Sequence, residues 1–226
     1  MKLAPLLIAF ALLGALAPAA APNCGGEEIF FDDFESYEVG EIPPEPWEVI
    51  TSGEPEIIIA AFDATDGSGR VVSVESFTDS HDYTALDVVF DHTTTTKTLS
   101  FDIYLDELLD GDFVFIDAGA GRFKIGRDTA FMIAKVDNVW TEIPCGDVEP
   151  GAWQRVKITE EIEPADTGYP RHYLSLKFAG ASPPECRDVE YLQPSVLPIP
   201  FVNFSTVSAP LRYFIDNVRV VEFVEN

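Results

Sequence analysis

Positive charge is scarce in this chain. Lys and Arg together number 14 against 39 Asp and Glu, which gives a formal net charge of −25 at pH 7. Nucleic acids and anionic membrane surfaces are bound mainly by cationic side chains, so we expect neither as a partner. Such acidity suits plain solubility, a high-salt environment, or carboxylates that bind divalent cations, and the composition alone leaves these three open.

Residue patterns typical of hydrolases are also missing. The histidines, His81, His92 and His172, are scattered and form neither His-x-His nor HExxH, so a zinc hydrolase has no support. No Gly-x-Ser-x-Gly elbow occurs. The glycines of "DAGAGRF" lack the strand, loop and helix context of a phosphate-binding loop, and we predict a hairpin turn there. The sequence therefore leaves enzymatic activity uncertain and leans against it.

Long apolar runs are absent except at the N-terminus. Lys2 precedes an uncharged run from Leu3 to Ala17, and small residues follow. This pattern predicts a secretory signal peptide at 1–19, with cleavage after Ala19. We expect a short unstructured lead at 20–26, a single domain at 27–226, no membrane span, and a secreted or cell-surface location.

Cysteine is limited to Cys24, Cys145 and Cys186. In a secreted protein, the two cysteines inside the folded domain predict one disulfide, Cys145–Cys186, between two proline-rich segments. Cys24 is then left free, paired with another chain, or lipidated, although the preceding "APN" is a poor lipobox. Asn203 begins an Asn-Phe-Ser glycosylation sequon, and the sequence does not show whether it is used.

Helix signals are sparse, while strand signals recur along the chain. "DELLDG" predicts one helical turn at most. "KTLSFDIYL" alternates, with Leu99, Phe101 and Ile103 facing one way. Similar segments are "EIIIAAF", "RVVSVESF", "TALDVVF", "DFVFIDA", "RFKIG", "AFMIAKV", "VWTEI", "WQRVKITEE", "RHYLSLKF" and "RYFIDNVRVVEF". Short strands with one apolar face each predict two packed antiparallel sheets, and "AKVDNVWTEI" predicts a tight hairpin.

Carboxylates occur among large apolar side chains at both ends of the domain. In "IFFDDFESYEVG", alternation places Asp32 on the face of Phe30 and Phe34. In the last strand, alternation places Asp216 on the face of Phe214 and Val218. A buried carboxylate has to be paired, protonated or bound to a cation. If the first and last strands pair, these acids would meet in a hard-oxygen site suited to Ca²⁺.

The alternatives to a calcium site are ordinary ion pairs or exposure of the acids to solvent. The candidate ion-pair partners are Arg70, Arg212 and Arg219.

The two end segments carry a family resemblance. "FFDDFESYEVGEIPPEPWEV" near the start and "RYFIDNVRVVE" at the end resemble the concanavalin A-like (LamG-like) jelly-roll domains of secreted proteins. The middle segments "TLSFDIYL" and "GAWQRVKI" also resemble this family, so the resemblance covers nearly all the mature chain. It implies an all-β, two-sheet antiparallel jelly-roll sandwich. It also implies a structural Ca²⁺ held by Glu35 and Asp216, with Asp33 as a further candidate.

Jelly rolls of this kind include glycoside hydrolases, polysaccharide lyases and lectins, so the resemblance does not decide catalysis. The E-x-D-x-x-E strand of one such hydrolase family and the Gln-x-His pair of related lyases are both absent. The nearest carboxylate pair is Asp102 and Asp106, and we expect Asp102 to be solvated or on the turn side of its strand.

We therefore predict a secreted, non-catalytic glycan-binding module. Its partner would be a carbohydrate or an extracellular matrix or surface component. The alternatives are a structural surface-layer or matrix protein and a polysaccharide-active enzyme. Carbohydrate sites use aromatic platforms with polar neighbours, and the predicted ligand-binding residues are Tyr83, Trp140, Tyr169 and His172. Trp47 and Trp153 are expected in the core.

Overall fold

The computed structural model describes residues 26–51, 56–62, 69–76, 83–90, 96–107, 113–119, 121–136, 139–163, 171–191, 201–207 and 211–223. The predictions for the signal peptide, Cys24 and Tyr169 lie outside these residues, as does most of "DELLDG", whose first two residues, Asp106 and Glu107, are in a strand. Within them, no helix is long and apolar enough to cross a membrane.

Strands make up almost all of the regular structure. In chain order they are β1 Glu27–Asp32, β2 Trp47–Thr51, β3 Glu56–Ala61, β4 Arg70–Ser76, β5 Tyr83–Val89, β6 Thr96–Glu107, β7 Phe113–Ala118, β8 Gly121–Gly126, β9 Thr129–Val136, β10 Val139–Asp147, β11 Trp153–Glu163, β12 Arg171–Phe178, β13 Val189–Tyr191, β14 Phe201–Val207 and β15 Leu211–Phe223. A 3₁₀ turn, Pro184–Cys186, lies between β12 and β13.

The strands form two antiparallel sheets. Sheet A has the order β13-β12-β11-β6-β15-β4-β3, with β1 also paired to β15, and sheet B has the order β10-β9-β8-β7-β14-β5-β2. The two sheets pack as an all-β jelly-roll sandwich, which confirms the predicted fold class. The first and last strands do pair, with Asp32 opposite Val218.

The core lies between the sheets and follows from period-two alternation. In β12, for example, Leu174, Leu176 and Phe178 are buried in the core, while the residues between them point away from it. Phe101 of sheet A and Phe204 of sheet B meet edge to face, with ring centroids 4.9 Å apart, and neither is exposed. Such a pair contributes about 1 kcal/mol beyond its buried area.

Two predicted hairpins are confirmed by strand register. Val136 lies opposite Val139, so β9 and β10 are joined through the Asp137-Asn138 dipeptide. Ala118 lies opposite Gly121, which makes "DAGAGRF" a hairpin. Gly119 there has φ +57°, and a Cβ at this position would collide with the Glu160 carboxylate. The backbone conformation therefore favours glycine, and any larger residue would also displace the Glu160 side chain.

The predicted disulfide is present. Cys145 and Cys186 are bonded across a sequence separation of 41 residues, and both are fully buried. The bond ties β10 of sheet B to the 3₁₀ turn beyond β12 of sheet A. A disulfide is typical of proteins that fold in an oxidising compartment.

A β-bulge in β15 corrects the predicted orientation of Asp216. The register of β15 against β6 shifts between Asp216 and Arg219, and Asn217 has φ +52°. Tyr213 and Ile215 face the core before the bulge, and Val218 and Val220 face it afterwards. Asp216 therefore lies on the outer side of sheet A and does not share the face of Val218, because the extra residue reverses the alternation.

Two further predictions about sheet A are wrong. Asp102 is only 2% exposed, and its burial is compensated by hydrogen bonds from Arg155 at 2.6 Å and from the Asn217 amide at 3.1 Å. Trp153 is half-buried on the outer face against Tyr104, whereas Trp47 is in the core as expected. The strand pattern showed which way these side chains point but not what covers them.

Asp32 explains why acids stand among aromatic rings in the first strand. Its Oδ1 accepts the Phe34 backbone N–H at 2.8 Å, and its Oδ2 accepts the Tyr37 hydroxyl at 2.7 Å and the Trp47 indole N–H at 2.8 Å. Burial, and then the bond to Asp32, raise the pKa of Tyr37 well above its ordinary value. The buried carboxylate is thus satisfied by three donors rather than by a cation.

We expect Asp32→Ala to lower the free energy of unfolding by about 3 kcal/mol, because the buried Trp47 indole and the Tyr37 hydroxyl lose their acceptor. Urea denaturation measures the change. The matched control is Asp33→Ala, which removes an acceptor of the Glu35 N–H at 3.2 Å and, with both variants measured in the presence of a chelator, should cost less than about 1 kcal/mol. Equal losses in the two variants would contradict the role assigned to Asp32.

Candidate functional site

The outer face of sheet B carries charged, polar and aromatic side chains together. We call it the B-face. It consists of Glu48 and Ile50 on β2, Ala85, Asp87 and Val89 on β5, Asn203 and Ser205 on β14, Phe113, Phe115 and Asp117 on β7, Arg122 and Lys124 on β8, Phe131 and Ile133 on β9, and Trp140 and Glu142 on β10. Their strand neighbours point into the core.

One row of the B-face is polar across five adjacent strands. Strand register places Glu48 beside Asp87, Asp87 beside Asn203, Asn203 beside Asp117, and Asp117 beside Arg122. Adjacent strands are about 4.8 Å apart, so the row spans roughly 19 Å. Such a row is long enough to contact several units of a linear polymer.

Hydrogen bonds order this polar row. The Asn203 side-chain amide donates to Asp87 Oδ1. Arg122 donates from Nε and Nη2 to the two oxygens of Asp117, at 2.6 and 2.8 Å. A bidentate pair fixes the planes of both the guanidinium and the carboxylate. Asp117 and Arg122 therefore present a rigid unit rather than two mobile side chains.

Aromatic rings backed by cations flank the polar row. Phe113 and Phe115 meet edge to face at 4.9 Å. Lys124 Nζ lies 4.5 Å from the centroid of Phe113 and also donates to Glu142 at 2.8 Å. The guanidinium of Arg122 lies 5.4 Å from the Phe115 centroid. Cation–π contact and ion pairing together hold these rings and cations in place.

The centre of the B-face is sheltered and its margins are exposed. Asn203 and Ser205, on β14 two strands in from the β2 edge, are 5% and 3% exposed although they point away from the core. Ile50, Val89 and Trp140, toward the edges, are exposed apolar side chains. We call this sheltered polar part of the B-face, between its exposed apolar margins, the trough.

The electrostatics of the trough centre act on Asp87. The pKa of this carboxyl is raised, first because burial disfavours its charged form, and further because Glu48 and Asp117 are negative neighbours. The hydrogen bond from Asn203 acts in the opposite direction. Asp87 is therefore a carboxyl whose ionised form is disfavoured by its surroundings.

We expect Asp87→Asn to increase stability at neutral pH. A carboxyl whose pKa is higher in the folded state binds more protons there than in the unfolded state. Its contribution to stability therefore falls as the pH rises above its pKa in the unfolded state. The gain of the variant over the wild type should therefore shrink as pH is lowered toward the ordinary Asp range. Urea denaturation at several pH values measures this, and a gain independent of pH would contradict it.

The predicted ligand-binding residues have different surroundings. Trp140 is 59% exposed and lies at the β10 edge of the B-face. His172 lies on the inner side of sheet A, is 1% exposed, and bonds through Nδ1 to Glu160 at 2.8 Å, so the geometry gives no support to a role in ligand binding. The side chains of Tyr83 and Tyr169 lie outside the described part of the chain.

Most residues of the B-face were not identified from the sequence as a binding surface. Asp87 in "TALDVVF" and Asp117 in "DFVFIDA" each interrupt an otherwise apolar strand, and this was the available signal. The predicted sequon also falls here: Asn203 lies within β14, and its amide nitrogen bonds to Asp87. That nitrogen is therefore engaged by Asp87 in the folded domain.

The predicted calcium ligands lie around the junction of the first and last strands. Asp33 accepts the Glu35 N–H, and Glu35 Oε1 accepts the Arg70 N–H at 2.9 Å. Asp216 is fully buried, lies opposite Asp102, and accepts the Asn217 N–H at 2.7 Å. Among the described residues, no three His, Cys, Asp or Glu are grouped as a metal-binding cluster. Asp216 fits a cation ligand by burial, whereas Asp33 and Glu35 are partly engaged by the backbone.

Several solved structures share this fold. A carbohydrate esterase of the Shiga toxin-encoding bacteriophage phi24B aligns with a TM-score of 0.59 at 10% identity, over 88% of this chain and 100% of that one. The alginate lyase vAL-1 from Chlorella virus aligns with a TM-score of 0.55 at 13% identity, over 78% and 93%. The cellulose-induced protein Cip1 aligns with a TM-score of 0.56 at 14% identity, over 85% and 96%.

At these identities the likeness shows a shared fold alone. No protein-family model matches the chain, and no curated protein matches it in sequence.

Proposed function

We propose that this protein is a secreted glycan-binding module of the concanavalin A-like (LamG-like) kind, and that the B-face is its binding surface. The observation that carries the proposal is the polar row from Glu48 to Arg122 lying beside cation-backed phenyl rings in a sheltered trough. The protein's role is then to hold a carbohydrate chain outside the cell.

The chemistry of the trough suits sugars. Carboxylate and amide groups accept and donate hydrogen bonds to hydroxyls, and aromatic rings pack against the apolar faces of pyranose rings. The fold supports the proposal as well, since structural relatives include a carbohydrate esterase and alginate lyases. The disulfide supports an extracellular location.

We expect Trp140→Ala to weaken binding to a retained polysaccharide about tenfold, equivalent to about 1.4 kcal/mol of lost ring contact. Native affinity electrophoresis against a panel of soluble β-glucans, xylans, chitosans and pectins measures retention. The matched control is Tyr173→Ala, which removes an aromatic ring from the outer face of sheet A, where Tyr173 bonds to Glu163.

Equal retention of the Trp140 and Tyr173 variants would place the binding surface elsewhere. Absence of retention across the whole panel would favour the alternative of a structural matrix or surface-layer protein.

Polysaccharide cleavage is a second candidate, favoured by one observation. Asp87 has a raised pKa and lies directly beside Glu48 on the adjacent strand, with Asp117 one strand further away. Glycosidases use one protonated and one ionised carboxyl, about 5 Å apart in retaining enzymes and about 6.5–9.5 Å apart in inverting ones. Release of reducing ends by the wild type, abolished in Asp87→Asn with retention intact, would make the protein an enzyme.

We also propose that a structural Ca²⁺ is held near Asp216, with Glu35 and Asp33 as further ligands. Its support is the full burial of the Asp216 carboxylate opposite a second buried carboxylate, Asp102. A hard divalent cation is one means of stabilising such a pair. The ion would join the end of β1 to the interior of β15 and take no part in glycan contact.

A chelator should lower the melting temperature if this ion is bound, because a ligand of the native state alone stabilises it by mass action. Added Ca²⁺ should restore the original value, and Asp216→Asn should remove the dependence on chelator. Calorimetric titration of chelator-treated wild type with Ca²⁺ gives a readout independent of whether that variant folds. If the melting temperature does not change with Ca²⁺ and the titration shows no binding, the proposed site does not exist.

A further inference from the structure

Negative side chains outnumber positive ones on the described B-face, and only some of the negative ones are paired with a cation. Its described side chains include four carboxylates, Glu48, Asp87, Asp117 and Glu142, and two cations, Arg122 and Lys124. Arg122 is bound to Asp117, and Lys124 is bound to Glu142. Neither cation is available to neutralise a ligand without breaking an existing pair.

The remaining two carboxylates carry the excess negative charge. Glu48 and Asp87 are cross-strand neighbours, and in the described part of the chain no cation is paired with either. Asn203 supplies Asp87 with a neutral donor only. The β2–β5 end of the polar row is therefore negative, and the opposite end is neutral by internal pairing.

This distribution has a consequence for ligand charge. A carboxylate or sulfate on a glycan lying along the row would be placed against Glu48 and Asp87, and like charges repel most strongly in a sheltered site. The net charge of −25 adds repulsion of longer range, which salt screens beyond about 8 Å. A protonated amine would instead gain an ionic partner, and a hydroxyl would gain a charge-assisted hydrogen bond.

We propose that the B-face selects glycans by charge: it accepts amine-bearing or uncharged chains and excludes polyanionic ones. The inference rests on the proposed glycan-binding role and adds the class of chain. Glu48 is the residue that determines the selection, because it is exposed, lies at the end of the polar row, and lacks a cationic partner in the described structure. Phe113, Phe115 and Trp140 supply contacts that do not depend on ligand charge.

Three oligosaccharide probes of similar length separate the possibilities: chitosan, its fully N-acetylated counterpart, and oligogalacturonate. At slightly acid pH the first is cationic, the second neutral and the third anionic. We expect affinity in that order, with the difference between chitosan and its N-acetylated form reduced by salt. Glu48→Gln should weaken chitosan binding about threefold, the effect of an exposed ion pair, and leave the N-acetylated chain unaffected.

Charge reversal provides the sharper test. Glu48→Lys should increase affinity for oligogalacturonate about tenfold relative to Glu161→Lys. The second variant makes the same change in net charge at an exposed position on the outer face of sheet A. The comparison separates the local charge of the trough from the overall acidity of the protein. Circular dichroism of both variants confirms that the fold is retained.

Two outcomes would overturn the inference while leaving glycan binding intact. One is wild-type affinity for oligogalacturonate equal to that for the N-acetylated chain, with both sensitive to Trp140→Ala. The other is an equal effect of the Glu48 and Glu161 reversals, which would assign the selection to bulk charge. Failure of all three probes to bind, while another polysaccharide of the wider panel is retained, would also overturn this inference alone. Failure across that panel as well would remove the proposed function.

Discussion

The carboxylate of Asp32 lies where the chain passes from sheet A to sheet B, and both sheets depend on its three hydrogen bonds. The Phe34 N–H bond turns the chain out of β1, and the Trp47 indole bond anchors the start of β2 in the opposite sheet. Since β1 also pairs with β15, this position ties the first strand to the last and both to the second sheet. A charged acceptor can be buried there because strong donors replace the water it loses.

The sandwich gives the two outer surfaces different roles. On sheet A, Asp102 and Asp216 are buried near Arg155 and Asn217, so acids there contribute to the integrity of the strand junction. On sheet B, the acids remain at a sheltered but open surface beside phenyl rings. The same residue type therefore serves structure on one face and is available for recognition on the other. What differs is whether a neighbouring strand or segment covers it.

Particular residues show how far sequence reasoning reached. Alternation in "RHYLSLKF" and "KTLSFDIYL" identified core positions correctly, and the two cysteines of the domain form the predicted bridge. Alternation failed at Asp216, where a bulge reverses the facing of all later residues. At Asp102 it gave the correct face but not the burial of the side chain. The polar row of the B-face was not predicted, because Glu48, Asp87, Asn203 and Asp117 are far apart in sequence and meet only through strand order.

The sequence by itself determined the all-β class, the antiparallel hairpins, the disulfide and the acidity, since each follows from local periodicity, turn residues, residue type or composition. Only the tertiary structure decided which acids share a face, which are buried, and which lie beside cations and rings. Strand order and register are set by packing of the whole sandwich, and a one-residue shift changes the face on which every following side chain lies. "IFFDDFESYEVG" therefore contains a structural anchor at Asp32, while the candidate binding surface lies on the other sheet.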